Sequence, residues 1–70
     1  MKGFIEVKFV ENIDSLDTTH DAIIRVNSIM TVYPMSDVEL TKVVFSDTSI
    51  MFVKETYEDI KSKIATAIAE

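Results

Sequence analysis

Residues 40–54, LTKVVFSDTSIMFVK, contain the two apolar runs that decide the fold. The runs cover residues 40–46 and 50–54, and both are rich in the β-branched and aromatic side chains that strands favour. Between them lie residues 47–49, DTS, a short polar segment typical of a turn. Two such runs separated by so short a turn predict a β-hairpin.

The loop length of this hairpin determines which side chains share a face. A three-residue loop places Phe45 opposite Met51 and Val43 opposite Val53 on one face. A four-residue loop would instead pair Phe45 with Ile50 and turn one strand over. The three-residue loop is favoured because it keeps the two lysines of the hairpin on the same face. That other face then carries Val44, Phe52, Lys42 and Lys54.

A segment with helical periodicity, about residues 56–67, follows the hairpin. Thr56 is suited to cap its N-terminus, and Glu58 and Asp59 place carboxylates near the positive end of the helix dipole. Asp59 and Lys63 stand four residues apart, which predicts an ion pair on the helix surface. The apolar side chains form one stripe predicted to face the sheet, made of Tyr57, Ile60, Ile64, Ala67 and Ile68.

The N-terminal segment predicts a further strand and a long loop. Residues 4–10 alternate between apolar and polar side chains, with Ile5, Val7 and Phe9 on one side. A period of two residues is typical of a half-buried strand. Residues 12–21 are a polar cluster without periodicity, which predicts a loop.

Residues 22–34 predict two more strands. The segment is rich in β-branched side chains, but it is too long for one strand of ordinary length. We therefore expect a tight turn or bulge at Asn27-Ser28, with strands over residues 22–26 and 29–33. Pro34 ends the second strand because it lacks a backbone N–H.

Length and composition predict one folded domain spanning residues 1–70. Hydrophobic residues make up 47% of the 70 residues and charged residues 27%, as in ordinary globular domains. The chain contains no cysteine, which excludes a disulfide scaffold and a cysteine-based zinc site. The predicted fold class is α+β, a small antiparallel β-meander of four or five strands with one C-terminal amphipathic helix.

Charge and hydropathy narrow the range of partners. The net charge of −5 repels phosphate backbones, so nucleic-acid binding is not expected. The longest apolar runs span only a few residues, well short of the roughly 20 that cross a bilayer. The N-terminus lacks the apolar segment of a signal peptide. We expect no membrane insertion and a cytoplasmic location.

His20, the single histidine, is flanked by Asp17 and Asp21, a combination that metal ligands and general bases use. We interpret His20 as a solvated loop residue, because no cysteine or further histidine can complete a site. Asp14, Asp17 and Asp21 lack the spacing, central glycine and terminal glutamate of a calcium loop. The single glycine, Gly3, cannot build a phosphate-binding loop. The sequence predicts no catalytic, cofactor-binding or metal-binding residues, and no enzymatic activity.

Several apolar side chains remain once one sheet face is assigned to the helix: Phe4, Val10, Val44, Ile50 and Phe52. In a small monomer a second apolar face is an association site or an aggregation liability, whereas in a closed barrel it lines another wall of the core. We predict that this face binds a protein partner or a second copy of the chain, with a homodimer as the expected state.

Two stretches of the chain resemble the FlbD-like family of small bacterial flagellar-operon proteins: IIRVNSIMTVYP at 23–34 and TKVVFSDTSIMFVKETYEDIKSKI at 41–64. The shared pattern is a Val26-Asn27 step, an Ile-rich strand, a hairpin and the helix start VKET at 53–56. The family usually has a glycine in the last hairpin, where this chain has DTS, and a shorter first hairpin. The resemblance implies the fold, suggests a flagellar-accessory role and implies no catalytic residues.

Two functional hypotheses remain open. The first is a non-enzymatic protein-binding or assembly module, which the shortage of polar catalytic groups outside the loops favours. The second is a phage or mobile-element protein that binds a host protein, or a small ligand at a site formed between subunits.

Overall fold

The structure is a computed structural model that describes residues 2–14, 16–36 and 38–70. Its elements are β1 (Phe4–Val10), β2 (His20–Arg25), a 3-10 turn (Val26–Ser28), β3 (Ile29–Pro34), β4 (Thr41–Phe45), β5 (Ile50–Val53) and α1 (Tyr57–Ala69). All strand pairs are antiparallel. The predicted α+β fold, a small antiparallel sheet with one C-terminal helix, is confirmed. Within the described ranges, no helix has the length and apolar character needed to cross a membrane.

The order of the five strands, β2-β1-β5-β4-β3, places β2 and β3 at opposite edges although they are consecutive in the chain. Only the 3-10 turn joins them. From Arg25 to Ile29 an extended chain spans at most about 14 Å. The edges of a flat sheet of this size would be about 19 Å apart. The sheet must therefore curl, which gives it a concave inner face and a convex outer face.

The inner face of the sheet carries the core, and α1 packs against it. On β1, Ile5 and Val7 are buried while Glu6 and Lys8 are exposed, as the period of two residues predicts. The side chain of Ile60 in α1 is 0% exposed. The buried cluster consists of Ile5, Val7, Ile24, Val43, Val53, Ile60 and Ala67.

The boundaries of β2 and β3 differ from the predicted 22–26 and 29–33. The 3-10 turn lies at the predicted division, but β2 begins at His20 and β3 includes Pro34. The polar character of His20 and Asp21 predicts a loop, yet both pair with β1. Polar side chains are tolerated there because one face of an antiparallel sheet can be solvated.

The β4–β5 hairpin has the predicted faces in a register that differs by two residues. Val43 lies opposite Met51, and Thr41 lies opposite Val53. The predicted pairings of Phe45 with Met51 and of Val43 with Val53 are therefore both wrong. Because side chains alternate with a period of two, a shift of two residues leaves every side chain on its predicted face.

The hairpin loop explains this shift. It covers residues 46–48, one residue earlier than predicted, because the N–H of Phe45 already donates to the C=O of Ser49 at 2.9 Å. Thr48 adopts a positive φ of 71°, a backbone conformation that glycine takes with less strain. The carboxylate of Asp47 accepts bonds from the hydroxyl and the N–H of Ser49, at 2.6 and 3.0 Å. These bonds hold the loop closed and lower the pKa of Asp47.

Helix α1 starts where predicted and extends two residues beyond the predicted end at Ala67. Thr56 Oγ1 accepts the N–H of Asp59 at 3.1 Å, which confirms the N-cap. Ile68, which the helical periodicity predicts to face the sheet, is 69% exposed. It lies about 80° around the helix from Ile60, at the margin of the stripe, where the curled sheet no longer covers it.

Candidate functional site

The outer face of β3, β4 and β5 presents a group of neighbouring apolar side chains. Val44 lies opposite Ile50, while Lys42 lies between Tyr33 on one side and Phe52 on the other. Opposite and diagonal positions on one sheet face are close enough for side chains to touch. Ile50 is 50% exposed and Tyr33 is exposed to a similar degree, while Val44 and Phe52 are partly exposed. We call Tyr33, Val44, Ile50 and Phe52 the outer apolar patch.

The sequence predicted five apolar side chains that the helix does not cover: Phe4, Val10, Val44, Ile50 and Phe52. All five lie on the outer face, but they do not form one surface. Val10 is only 2% exposed, so it adds nothing accessible. Phe4 lies at the opposite end of β1, where the guanidinium of Arg25 stands 5.8 Å from its ring centroid. Ile23, which is 59% exposed, neighbours Phe4 on this face. The sequence does not distinguish Ile23 from the adjacent Ile24 as the outward-facing residue, because both are apolar.

Strand β2 forms an accessible edge of the sheet. The backbone N–H and C=O of Lys8 both bond on the β5 side of β1. Because backbone groups alternate between the two sides of a strand, odd-numbered β1 residues bond to β2, at its even-numbered positions. This leaves the N–H and C=O of Asp21 and Ile23, and the N–H of Arg25, on the free side, and among the described residues no strand or other backbone group bonds to these five groups. The C=O of Arg25 instead accepts the first bond of the 3-10 turn, from the N–H of Ser28.

Lys8 and Asp21 form a cross-strand ion pair on the outer face beside this edge. Lys8 Nζ donates to Asp21 Oδ1 at 2.9 Å, and the two residues are directly opposite in the β1–β2 register. The hydrogen bond and the positive charge of Lys8 lower the pKa of Asp21, and the carboxylate raises the pKa of Lys8. Both side chains are largely exposed, so the ion pair contributes little to the stability of the fold.

The carboxyl group of Asp21 is expected to titrate below its ordinary pKa of 3.8. Because the pKa is depressed in the folded state, the ion pair contributes at pH values above the unfolded pKa and is lost as the pH falls through the folded one. Carboxyl carbon NMR over an acid titration measures this. The variant Lys8→Met should return the Asp21 midpoint toward 3.8, and an unchanged midpoint would contradict the pairing.

His20 lies at the first position of β2 rather than in the predicted loop. Its ring lies 5.4 Å from the ring of Phe9, and its Nε2 stands 3.6 Å from an oxygen of Glu11. Asp17 and Asp14 are exposed, and the N–H of Asp14 donates to Asn12 Oδ1 at 2.9 Å. In the part of the chain that is described, no three His, Cys, Asp or Glu side chains group closely enough to hold a metal ion. That His20 has no metal or catalytic role stays a prediction.

An open cleft of about 430 Å³ separates the first half of β1 from α1. It exists because β5 pairs only with the C-terminal end of β1. Two side chains occupy the place of the missing strand. Glu55 accepts the backbone N–H of Lys8 at 3.0 Å, and Lys63 donates to the C=O of Glu6 at 2.7 Å and also to Glu55. The predicted ion pair of Lys63 with Asp59 is therefore replaced by one with Glu55.

The two side chains that replace the missing strand, Glu55 and Lys63, serve the fold. The only buried polar residue among those described, Thr41, likewise donates its hydroxyl to the C=O of Glu55 at 2.7 Å. The structure thus defines a small α+β domain whose accessible features are an apolar patch and an unpaired strand edge. Comparisons with protein-family models, curated proteins and solved structures give no match to this chain.

Proposed function

We propose that the protein is a small non-enzymatic binding or assembly module that contacts another protein chain through the outer apolar patch. The single observation that carries this proposal is the continuity of the patch across β3, β4 and β5. Isolated apolar side chains on a surface are ordinary, whereas contiguous ones mark interaction sites.

The composition of the patch favours a protein as its partner. Aromatic side chains such as Tyr33 and Phe52 are enriched in protein interfaces because they cover a large area with few rotatable bonds. Lys42 lies between them, with its ammonium 5.8 Å from the Tyr33 ring centroid. A convex sheet surface of this kind suits the face of another domain better than it suits a small molecule, which needs a concave site.

The role within a cell is proposed on the resemblance to FlbD-like proteins, which suggests a flagellar-accessory function in the cytoplasm. The alternative is a phage or mobile-element protein that uses the same patch on a host protein. Both proposals assign binding rather than catalysis to the domain. Self-association as a homodimer is part of the proposal, since a chain of 70 residues has a thin core that a subunit interface would supplement.

The patch is tested with a photo-crosslinking amino acid, benzoylphenylalanine, in place of Ile50. Ile50 is half-exposed, so the replacement should leave the fold intact, and irradiation in the producing cell should give a discrete adduct. The adduct is identified by mass spectrometry as the chain itself or another protein. The same replacement at Ile68, an exposed isoleucine on α1, is the matched control. Absence of an adduct at position 50, or equal adducts at 50 and 68, would contradict the proposal.

A further inference from the structure

The two edges of the sheet differ in their capacity to pair with another strand. Strand β3 carries a bulge between Ile29 and Thr31, and its last residue, Pro34, has no N–H to donate. Such features prevent edge-to-edge pairing. Strand β2 is regular over its whole length against β1. It therefore presents a regular edge whose outward backbone groups are available from Asp21 to the N–H of Arg25.

The exposed residues of the β2 edge are self-complementary. Asp21 and Ile23 carry free N–H and C=O groups, Arg25 carries a free N–H, and the three side chains lie together on the outer face. An acidic residue and a basic residue stand at equal distances on either side of an apolar one. Reversing the direction of this short sequence exchanges the two charges and leaves the isoleucine in place.

We propose that two copies of the chain pair through β2, antiparallel about a two-fold axis at Ile23, to form one continuous sheet. The proposal deepens the proposed function by naming the second copy as partner and β2 as the interface, and it rests on the homodimer part of that function. In a two-fold interface, if one residue contacts a second residue of the other copy, the second residue also contacts the first one of that copy. Two identical strands that pair antiparallel satisfy this condition. The mode is strand addition to an exposed edge.

The register follows from the position of the axis. Ile23 faces Ile23 of the second copy, and Asp21 faces Arg25 of the second copy, and the reverse. Ile23 exchanges two backbone bonds with its symmetry mate, and the N–H of Arg25 donates to the C=O of Asp21 of the second copy. If one β2 strand were shifted by one residue against the other, residues whose backbone groups point toward the second copy would lie opposite residues whose backbone groups bond to β1. Only shifts by two residues therefore allow the two strands to form hydrogen bonds.

The side chains next to the interface extend the charge pattern. Lys8 already bonds to Asp21 at 2.9 Å, and Arg25 already lies over the ring of Phe4. Across the dimer the row becomes Lys8, Asp21, then Arg25 and Phe4 of the second copy. Each charge in this row neighbours an opposite charge or an aromatic ring. Ile23, 59% exposed in the single chain, becomes covered by its symmetry mate.

Charge reversal tests the register directly. The variants Asp21→Arg and Arg25→Asp each create two like-charge pairs in their own homodimer. Opposite charges that face each other across strands are stabilising and like charges destabilising, by about tenfold per pair. Each variant alone should therefore dimerise roughly a hundredfold more weakly than the parent. An equimolar mixture of the two restores both opposite pairs and should form a heterodimer, resolved by native mass spectrometry and sedimentation velocity.

The variant Ile23→Glu provides a second test, because it places two carboxylates on the axis and should leave the chain monomeric. The variant Ile68→Glu is the matched control and should dimerise like the parent. A parent that stays monomeric at high micromolar concentration overturns the proposal. So does dimerisation of the charge variants with parental affinity, or a mixture that stays monomeric.

These outcomes are distinguishable from failure of the proposed function. A parental dimer that is insensitive to all β2 variants would overturn the edge interface while leaving self-association intact. Cross-linking at Ile50 reports on the outer apolar patch, which lies on other strands, and its result does not depend on β2.

Discussion

Truncation of Ile60 to alanine is expected to lower the free energy of unfolding by about 3–5 kcal/mol. The side chain is fully buried and belongs to the cluster that joins α1 to the inner face of the sheet. A domain of this size has a total stability of about 5–15 kcal/mol, so the loss would leave a substantial unfolded fraction at the low end of that range. Urea unfolding followed by far-UV circular dichroism measures the difference.

Two other isoleucines of α1 provide the comparison. Ile64 is only partly buried against the same cluster, so Ile64→Ala should cost less than Ile60→Ala. Ile68 is mostly exposed, so Ile68→Ala should change the stability by no more than about 0.5 kcal/mol. If all three variants unfolded at the same urea concentration, α1 would not be packed as described.

The parts of the fold that the sequence predicted are those governed by local periodicity. The alternation over residues 4–10 identified β1 and the inward direction of Ile5 and Val7. Thr56 marked the start of α1 because a side-chain oxygen there satisfies an N–H that the helix cannot. In both cases the decisive interactions lie within a few residues of the chain.

The order of the strands could not be derived in this way. A hydrophobic pattern determines which face of a strand is buried, but it does not determine which strand lies beside it. Strands β2 and β3 lie at opposite edges and are still joined by a 3-10 turn. This is possible only because the whole sheet curls and brings its two edges together. The register of β4 against β5 similarly depended on Thr48, whose positive φ is unusual for a β-branched residue.

The surface features show the same division. The sequence identified Ile50 and Phe52 as apolar residues that the helix does not cover, because alternation within the hairpin is clear. It gave no means of choosing between Ile23 and Ile24, because both neighbouring positions are equally apolar. The register of β1 against β2 makes the choice, by placing Ile24 opposite the inward-facing Ile5.

Replacement of Glu55 by alanine is expected to lower the free energy of unfolding by about 2–3 kcal/mol. Its carboxylate accepts the N–H of Lys8 and pairs with Lys63, and its side chain is only 15% exposed. Removing it leaves the N–H of Lys8 without its acceptor and the ammonium of Lys63 with only the C=O of Glu6, at the edge of β1 that β5 does not cover. A donor left without its partner in a partly buried place costs more than the bond itself contributes.

The role of Glu55 can be separated into its two contacts. Glu55→Gln keeps an oxygen for the N–H of Lys8 but removes the charge, so its cost should fall between those of the parent and Glu55→Ala. A double-mutant cycle of Glu55→Ala with Lys63→Met should give a coupling of about 1 kcal/mol or more, because the two side chains are in contact. Glu58, whose pair with Lys61 at 3.7 Å is exposed, is the matched control, and Glu58→Ala should cost less than about 0.5 kcal/mol. Equal costs at positions 55 and 58 would mean that water satisfies this edge of β1 and that the side-chain bridge contributes nothing to the closure of the sheet.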